Sequence, residues 1–496
     1  MNRTRKKHTP PRTGSQLITA LVVIFVFSIL GIASTQYVIN QFRIATYQVD
    51  RESTLAIAEA GAEYYRWHLA HSPSDFQDGT GAPGPYLHDY YNANNVKIGT
   101  FSLTIVPPPI GSTITTIQST GYLLKNPNQK RTVVMQMGIP SFSQYAVVAN
   151  DVMRFGSGTE VWGPIHSNFG IRFDGLAHNL ITSSVSQYND PDHSGGNEFG
   201  VHTHVNPVDP LPPALPAPQP PPPNRPDVFA AGRTFPVAPV NFTGITGNLN
   251  QMKADAIANG IWLPPSGVNG YHITVKNNDT VDIRVVNTLS TCRYRLSGQW
   301  YSYADVRSIA TQSTFTYEGQ VSLNIPLPAN GLIFSEDDTW VDGQIDGGHL
   351  TIIAAEEPLA SGQANIIVNN DLTYTLYDGT DTIGLIGQQN VGVGFYSDTN
   401  LRIDAALIAQ NGWVRRWYYQ PVSSSQWNPA GCNQNVYKNS ITTFGSIATN
   451  QRYGFAYTDG TGYQDRFLNY DDKLKYGPPP SFPTTGVYTV ISWEER

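Results

Sequence analysis

His202 and His204 stand one residue apart in GVHTHVNP, a spacing that puts both imidazoles on one face of an extended strand, and His166, His178 and His193 lie upstream. Imidazoles gathered in this way are the commonest raw material of a metal site. The pair adjoins a proline tract, and no Asp or Glu stands at the spacing of a helical zinc motif. The reading is therefore solvent-facing loop histidines, with no metal and no cofactor expected. Acidic clusters at Glu336-Asp337-Asp338 and at Asn469, Asp471 and Asp472 offer carboxylate oxygens to calcium. Neither has the pattern of an EF-hand loop. No GxSxG elbow, HExxH or phosphate loop occurs in a fitting context, so the chain reads as a non-enzyme. The alternative is a polysaccharide-active enzyme or a carbohydrate-binding protein, the enzyme drawing on paired carboxylates in a cleft.

Cys292 and Cys432 are the only cysteines, too few for a cysteine-built metal centre. They form a candidate disulfide if the chain is exported. The formal net charge of -7 offers no footprint for nucleic acid, and the adjacent basic pairs Lys130-Arg131 and Arg415-Arg416 are too sparse to supply one. Aromatic residues crowd the last third: Trp413, Trp417, Tyr418, Tyr419, Trp427, Tyr453, Phe455, Tyr457, Tyr463 and Tyr470. Some belong to a core, and the remainder suit a surface glycan or protein ligand.

The element that must carry all of this is at the N-terminus. Arg3, Arg5, Lys6, Lys7 and Arg12 precede an apolar stretch from Leu17 to Ile39 with no acidic residue before it. Its 23 residues suffice to span a bilayer core of about 30 Å. The positive-inside rule places the N-terminus in the cytoplasm and the rest outside, as a single-pass membrane protein. Apolar and small residues then continue at helical spacing through residues 41–72, where Ala56, Ala58, Ala60, Gly61 and Ala62 make a stripe narrow enough for close approach. That stripe serves either a neighbouring helix or the chain's own first domain.

Charged residues make up only 14% of the chain, while Gly, Pro, Thr, Ser, Asn and Tyr abound, which points to a mainly β ectodomain. Alternating runs between Val96 and Met137 predict a small antiparallel sheet over 73–140. Residues 141–205 and 331–425 repeat a texture of two or three apolar residues followed by a Gly, Asn or Asp turn. Short strands at roughly 8- to 20-residue intervals predict a β-solenoid in two parts, with a β-sandwich as the competitor. Between the parts, 206–240 reads as a proline-rich linker and 241–330 as an inserted α+β region; 426–496 is a C-terminal β region.

The leader and apolar helix RTGSQLITALVVIFVFSILGIASTQYV, followed by AEAGAEYYR, resemble the N-terminal region of PilX-type minor pilins and tip pseudopilins of type IV pilus systems. The resemblance covers about the first 70 residues. It implies that 1–14 is a cytoplasmic leader, that a prepilin peptidase cuts between Gly14 and Ser15, and that 15–40 is the transmembrane helix. Leu17, Leu21, Phe25 and Leu30 would then anchor the chain and pack against other pilins. Major pilins of the family carry a glutamate five residues into the mature chain, where this sequence has Thr19. Tip subunits share that lack, so the resemblance implies a place at a filament tip, in assembly initiation or adhesion. The ectodomain texture, as in VWGPIHSNFGIRFDG, also looks like that of some PilX-like proteins.

Overall fold

The computed structural model describes residues 13–109, 111–242, 249–303, 306–317, 320–421 and 435–496. One helix, α1 (Thr13–His71), runs for 59 residues. It is long and apolar enough to cross a membrane, with a mean hydropathy of 2.7 in its most apolar window. Every residue from 16 to 49 is exposed, including Leu17, Leu21, Phe25 and Leu30. From Asp50 onward one face turns inward, and Ile57, Ala58, Ala62, Tyr65 and Leu69 are fully buried.

What covers that face is an antiparallel sheet made by Tyr86–Tyr91, Lys97–Val106, Ile114–Leu123 and Asn126–Gly138, extended at its edge by Thr489–Glu495 from the far end of the chain. Of the small-residue stripe, Ala58, Gly61 and Ala62 therefore pack on the chain's own sheet, while Ala60 is half-buried and Ala56 stays exposed. Gly121 shows why small residues are needed: a Cβ there would sit 2.4 Å from the Thr54 carbonyl and 2.5 Å from the Ala58 nitrogen. Gly61 is hemmed in from the other side, 2.3 Å from Ser119 Oγ by the same construction. Helix and sheet thus meet backbone to backbone, which any larger side chain would prevent. This first unit comprises the chain up to Pro107, with Thr115–Met137 and Val490–Arg496.

The second unit, Pro108–Ile114 with Gly138–Thr489, is built on parallel ladders. In the longest, ten short strands pair in sequence: Ile261–Leu263, Leu332–Ser335, His349–Ala354, Thr382–Gly387, Asn400–Ala409, Tyr437–Thr449, Val147–Ala149, Ile165–Ser167, Ile181–Ser183 and Arg233–Thr234. Their registers align one residue from each of the first nine into a continuous column: Ile261, Ile333, Ile352, Leu385, Leu407, Ile447, Val147, Ile165 and Ile181. All nine belong to one buried core. Arg233 ends the column.

A second column passes through Ile273, Val341, Val368 and Val393, and a third through Leu372, Ile403, Thr443, Leu468, Val161 and Ala177. Like residues stacked at the spacing of parallel strands keep an apolar interior dry without a helix inside it, which is why strands as short as Val147–Ala149, Ile165–Ser167 and Ile181–Ser183 suffice. On the outer face of the long ladder, Phe334, Ile353, Ile386, Ile408 and Ala448 are buried by Leu249, Met252 and Ala256 of helix α2 (Leu249–Asn259) together with Phe142, Leu474 and Phe482.

The order of strands in the ladder is not the order in the chain. From Val147 the chain steps outward to Thr234, then resumes at Ile261 at the opposite end of the ladder and returns to residue 470 beside its own start. The proline-rich tract lies within that crossing and is tied down at several points. Arg233 and Arg225 reach Asp209, which is buried, Val228 and Phe229 are buried, and Phe229 bridges to Ala177.

Candidate functional site

Two regions concentrate functional chemistry. The first is the exposed half of α1. Its apolar side chains from Leu17 to Val49 are all exposed, and exposure reaches 68% at Leu17 and 71% at Phe42. Such a run, uncompensated by any burial, fits a hydrocarbon surrounding or the helices of other subunits. Ser28 and Thr35 return their hydroxyls to the carbonyls of Ile24 and Gly31, so neither breaks the apolar surface with an unmet donor. Gly14 and Ser15 lie in the first turn of the helix.

The second region is a histidine and carboxylate cluster in the large unit. Antiparallel pairing of Gln187–Tyr188 with Glu198–Phe199 closes a hairpin whose turn carries Asp190 and His193. Val201–His202 then pairs in parallel with Ile171–Phe173, setting His202 opposite Arg172. Backbone contacts fix the next two residues: Thr203 N–H donates to Asp209 at 3.0 Å and His204 N–H donates to Asp174 at 2.8 Å. The result is that His193, Glu198, His202, His204 and Asp190 converge.

His202 is completely buried and His204 mostly so, which corrects the expectation of solvent-facing loop histidines. Proximity to prolines did not leave them mobile, because the strand pairing and the two backbone anchors hold the segment. His202 Nε2 is 3.6 Å from Asp190 Oδ2, His204 Nε2 is 3.6 Å from Glu198 Oε1, and His193 Nδ1 is 3.4 Å from the same Glu198 oxygen. Among the described residues none of Asp190 Oδ2, Glu198 Oε2, His204 Nε2 or the two ring nitrogens of His202 has a hydrogen-bond partner. Burying a polar group in that state costs about 1–3 kcal/mol each. Burial pushes the His204 imidazole below its ordinary pKa, and the nearby Arg172 and His202 add to this, so the ring is neutral and its nitrogen a free donor of electrons. Burial opposes ionisation of Asp190, but His202, the Asp192 amide and Arg172 outweigh it and keep the carboxylate charged.

His166 and His178 are elsewhere. His166 is buried between Thr182 and Asn168, and His178 stacks on Trp162 at 3.4 Å while bonding Glu160. The acidic clusters are engaged one residue at a time. Glu336 accepts from Trp262 and pairs with Lys253, Asp337 accepts from Ser266, and Asp338 from Asn365. Asp471 caps a short turn by accepting from Lys473 N–H, and burial pushes its carboxyl up to about 6.

Beside the histidine cluster a groove of about 720 Å³ is walled by His204 and by Arg154, Arg415, Arg452 and Arg466. Of the late aromatics, Trp413, Trp417, Tyr419, Tyr453, Phe455 and Tyr463 are core, and Tyr418 is half exposed. Arg416, from the adjacent basic pair, is fully buried and directs its guanidinium to the carbonyls of Phe395, Asn435 and Val436. Cys292 is disulfide-bonded, while Cys432 and Trp427 lie outside the described residues.

Residues 13–63 match the model of the PilX N-terminal family. Among solved structures, the competence-associated pilin ComZ from Thermus thermophilus is similar at 12% identity and a TM-score of 0.27, over 90% of this chain and 98% of that one. A score so low lends nothing to the architecture, which rests on the ladders above. No curated protein matches the sequence.

Proposed function

We propose that this chain, minor-pilin-like through residues 13–63, is a minor pilin or pseudopilin of a type IV pilus-like system that carries a β-solenoid ectodomain to a filament tip. The observation that carries the reading is the division of α1. Its first part presents the exposed apolar run Leu17–Ile39, and its second half is welded to a sheet. A helix so divided can leave the bilayer and enter a bundle of like helices without loosening the domain it bears. Leu17, Leu21, Phe25 and Leu30 make that contact, with the N-terminus cytoplasmic and the ectodomain outside.

The parallel ladders are read as the coils of a solenoid, and the departure at Thr19 from the glutamate of major pilins favours a terminal position, since an unpaired amine beneath another subunit is costly in lipid. No catalytic role is assigned. The work of the ectodomain is assembly initiation or adhesion to a surface glycan or protein.

The mature N-terminus tests this. Mass spectrometry on membranes and on sheared surface filaments should find a chain beginning at Ser15, after prepilin peptidase action at Gly14. A first residue of Met1 or Ser34 would sink the pilin reading, the former leaving a plain anchor and the latter a released protein.

A further inference from the structure

We propose that Asp190, His202 and His204 bind one divalent transition-metal ion of the zinc class, with Glu198 and His193 beside His204 at its edge. The ligand atoms of Asp190, His202 and His204 all lie within 4.8 Å of one another, and those of His193, Glu198 and His204 do likewise. The separations of 3.4–3.6 Å between nitrogen and oxygen are too long for hydrogen bonds. The 3.6 Å between His202 Nε2 and Asp190 Oδ2 matches the edge of a tetrahedron, about 3.3–3.6 Å, drawn around an ion with bonds of about 2.0–2.2 Å.

The second, independent observation is that the groups are orphaned. His202 has no exposed surface, and neither ring nitrogen has a hydrogen-bond partner among the described residues. Asp190 is buried as well, and its Oδ1 accepts from Asp192 N–H while Oδ2 is left turned toward His202. Arg172 Nη1 lies 3.5 Å from Oδ2, but its guanidinium is paired at 2.7 Å with Asp174 and so is shared between the two carboxylates. Imidazole nitrogens mixed with carboxylate oxygens select a first-row transition ion over calcium or magnesium.

The ligands come from a hairpin, from the strand Val201–His202 and from the residue that begins the path to the proline-rich tract. An ion there would pin the 184–209 excursion to the ladder at Ile171–Phe173, a task for which the segment offers no apolar core of its own beyond Phe199 and Val201.

The test uses the full chain in detergent, stripped with a chelator and returned to Zn2+ alone. Elemental analysis after gel filtration should find about one equivalent per chain, and Asp190→Asn and His204→Gln should each weaken uptake by at least about tenfold. His71→Gln, at the end of α1, should not change it. Equal uptake by the wild type and both variants would overturn the proposal, as would no stoichiometric uptake by the wild type. Should the variants misfold, Co2+ added to the stripped wild type decides the matter: intense visible bands of a low-coordinate ion are expected, and the pale spectrum of aquated Co2+ would refute the site.

Discussion

Val147 and Ile447 are register partners in adjacent parallel strands, although 300 residues of chain separate them. Both sit in the middle of the nine-residue column, where the outgoing and returning halves of the large unit meet. Trimming Ile447 therefore tests whether the two halves share one core. Ile447→Val should cost about 0.5–1.5 kcal/mol and Ile447→Ala about 2–5 kcal/mol. Denaturant unfolding followed by fluorescence should show the loss in one cooperative transition that includes Trp340 and Trp413. A loss confined to the residues after 437 would mean that the halves unfold separately.

Gly121 makes a sharper prediction about the small unit. Gly121→Ala drives a methyl into the Thr54 carbonyl and the Ala58 backbone, with no flexible atom to yield. Protease digestion should then reach α1 between residues 50 and 70 in the variant and spare it in the wild type. Equal protection in both would show that the helix does not depend on this approach.

Asp471 should make the large unit respond to acid in an unusual direction. Its carboxyl is raised from 3.8 to about 6 in the folded state, so folding favours the protonated form. The resulting stability is fully present below pH 3.8 and is lost as pH rises through about 6, which amounts to about 3 kcal/mol at 1.36 kcal/mol per unit. Asn keeps an oxygen for the Lys473 amide, so Asp471→Asn should gain stability over the wild type above pH 6 and match it near pH 3.5. Parallel pH profiles would contradict this.

Lys438 predicts a trend at the alkaline end. Burial lowers its amine from 10.5 to about 8, with the Arg416 charge adding to the effect. The folded state thus disfavours the charged form, and the stability cost is relieved as pH rises from 8 to 10.5. Lys438→Met should flatten that rise in thermal unfolding. The variant also loses the donor that serves the Asn435 side chain at 3.0 Å, so its stability at pH 10.5 should fall below that of the wild type.

Local patterns in the sequence foretold what local physics decides. The apolar run Leu17–Ile39 and the small residues from Ala56 to Ala62 read directly as a helix with two kinds of face, and the structure shows one helix over both. Strand texture was equally visible, as in Ile181 to Ser183 or Leu332 to Ser335. What a linear reading lacks is register between distant strands. Nothing near Val147 says that its neighbour is Ile447, because parallel pairs close no tight turn that could leave a signature. The histidine cluster was missed for the same reason. His202 and His204 were evident, but Asp190 and Glu198 join them only through the hairpin at Gln187–Tyr188 and through pairing with Ile171–Phe173. The signal that was there is the recurrence of Asp, His and Glu within fifteen residues, 190–204, in a chain otherwise poor in charge.

The small sheet takes its fifth strand, Thr489–Glu495, from beyond the whole of the large unit, and Arg496 N–H closes on the Thr132 carbonyl. Synthesis delivers a chain from its N-terminus, so four strands and the helix emerge early while the fifth follows some 350 residues later. Until then Asn126–Gly138 is a bare edge, open to pairing with any passing strand. Completion of the small unit thus reports that everything between has already been made, and a truncated product would betray itself by an unsealed edge that quality-control proteases can grip.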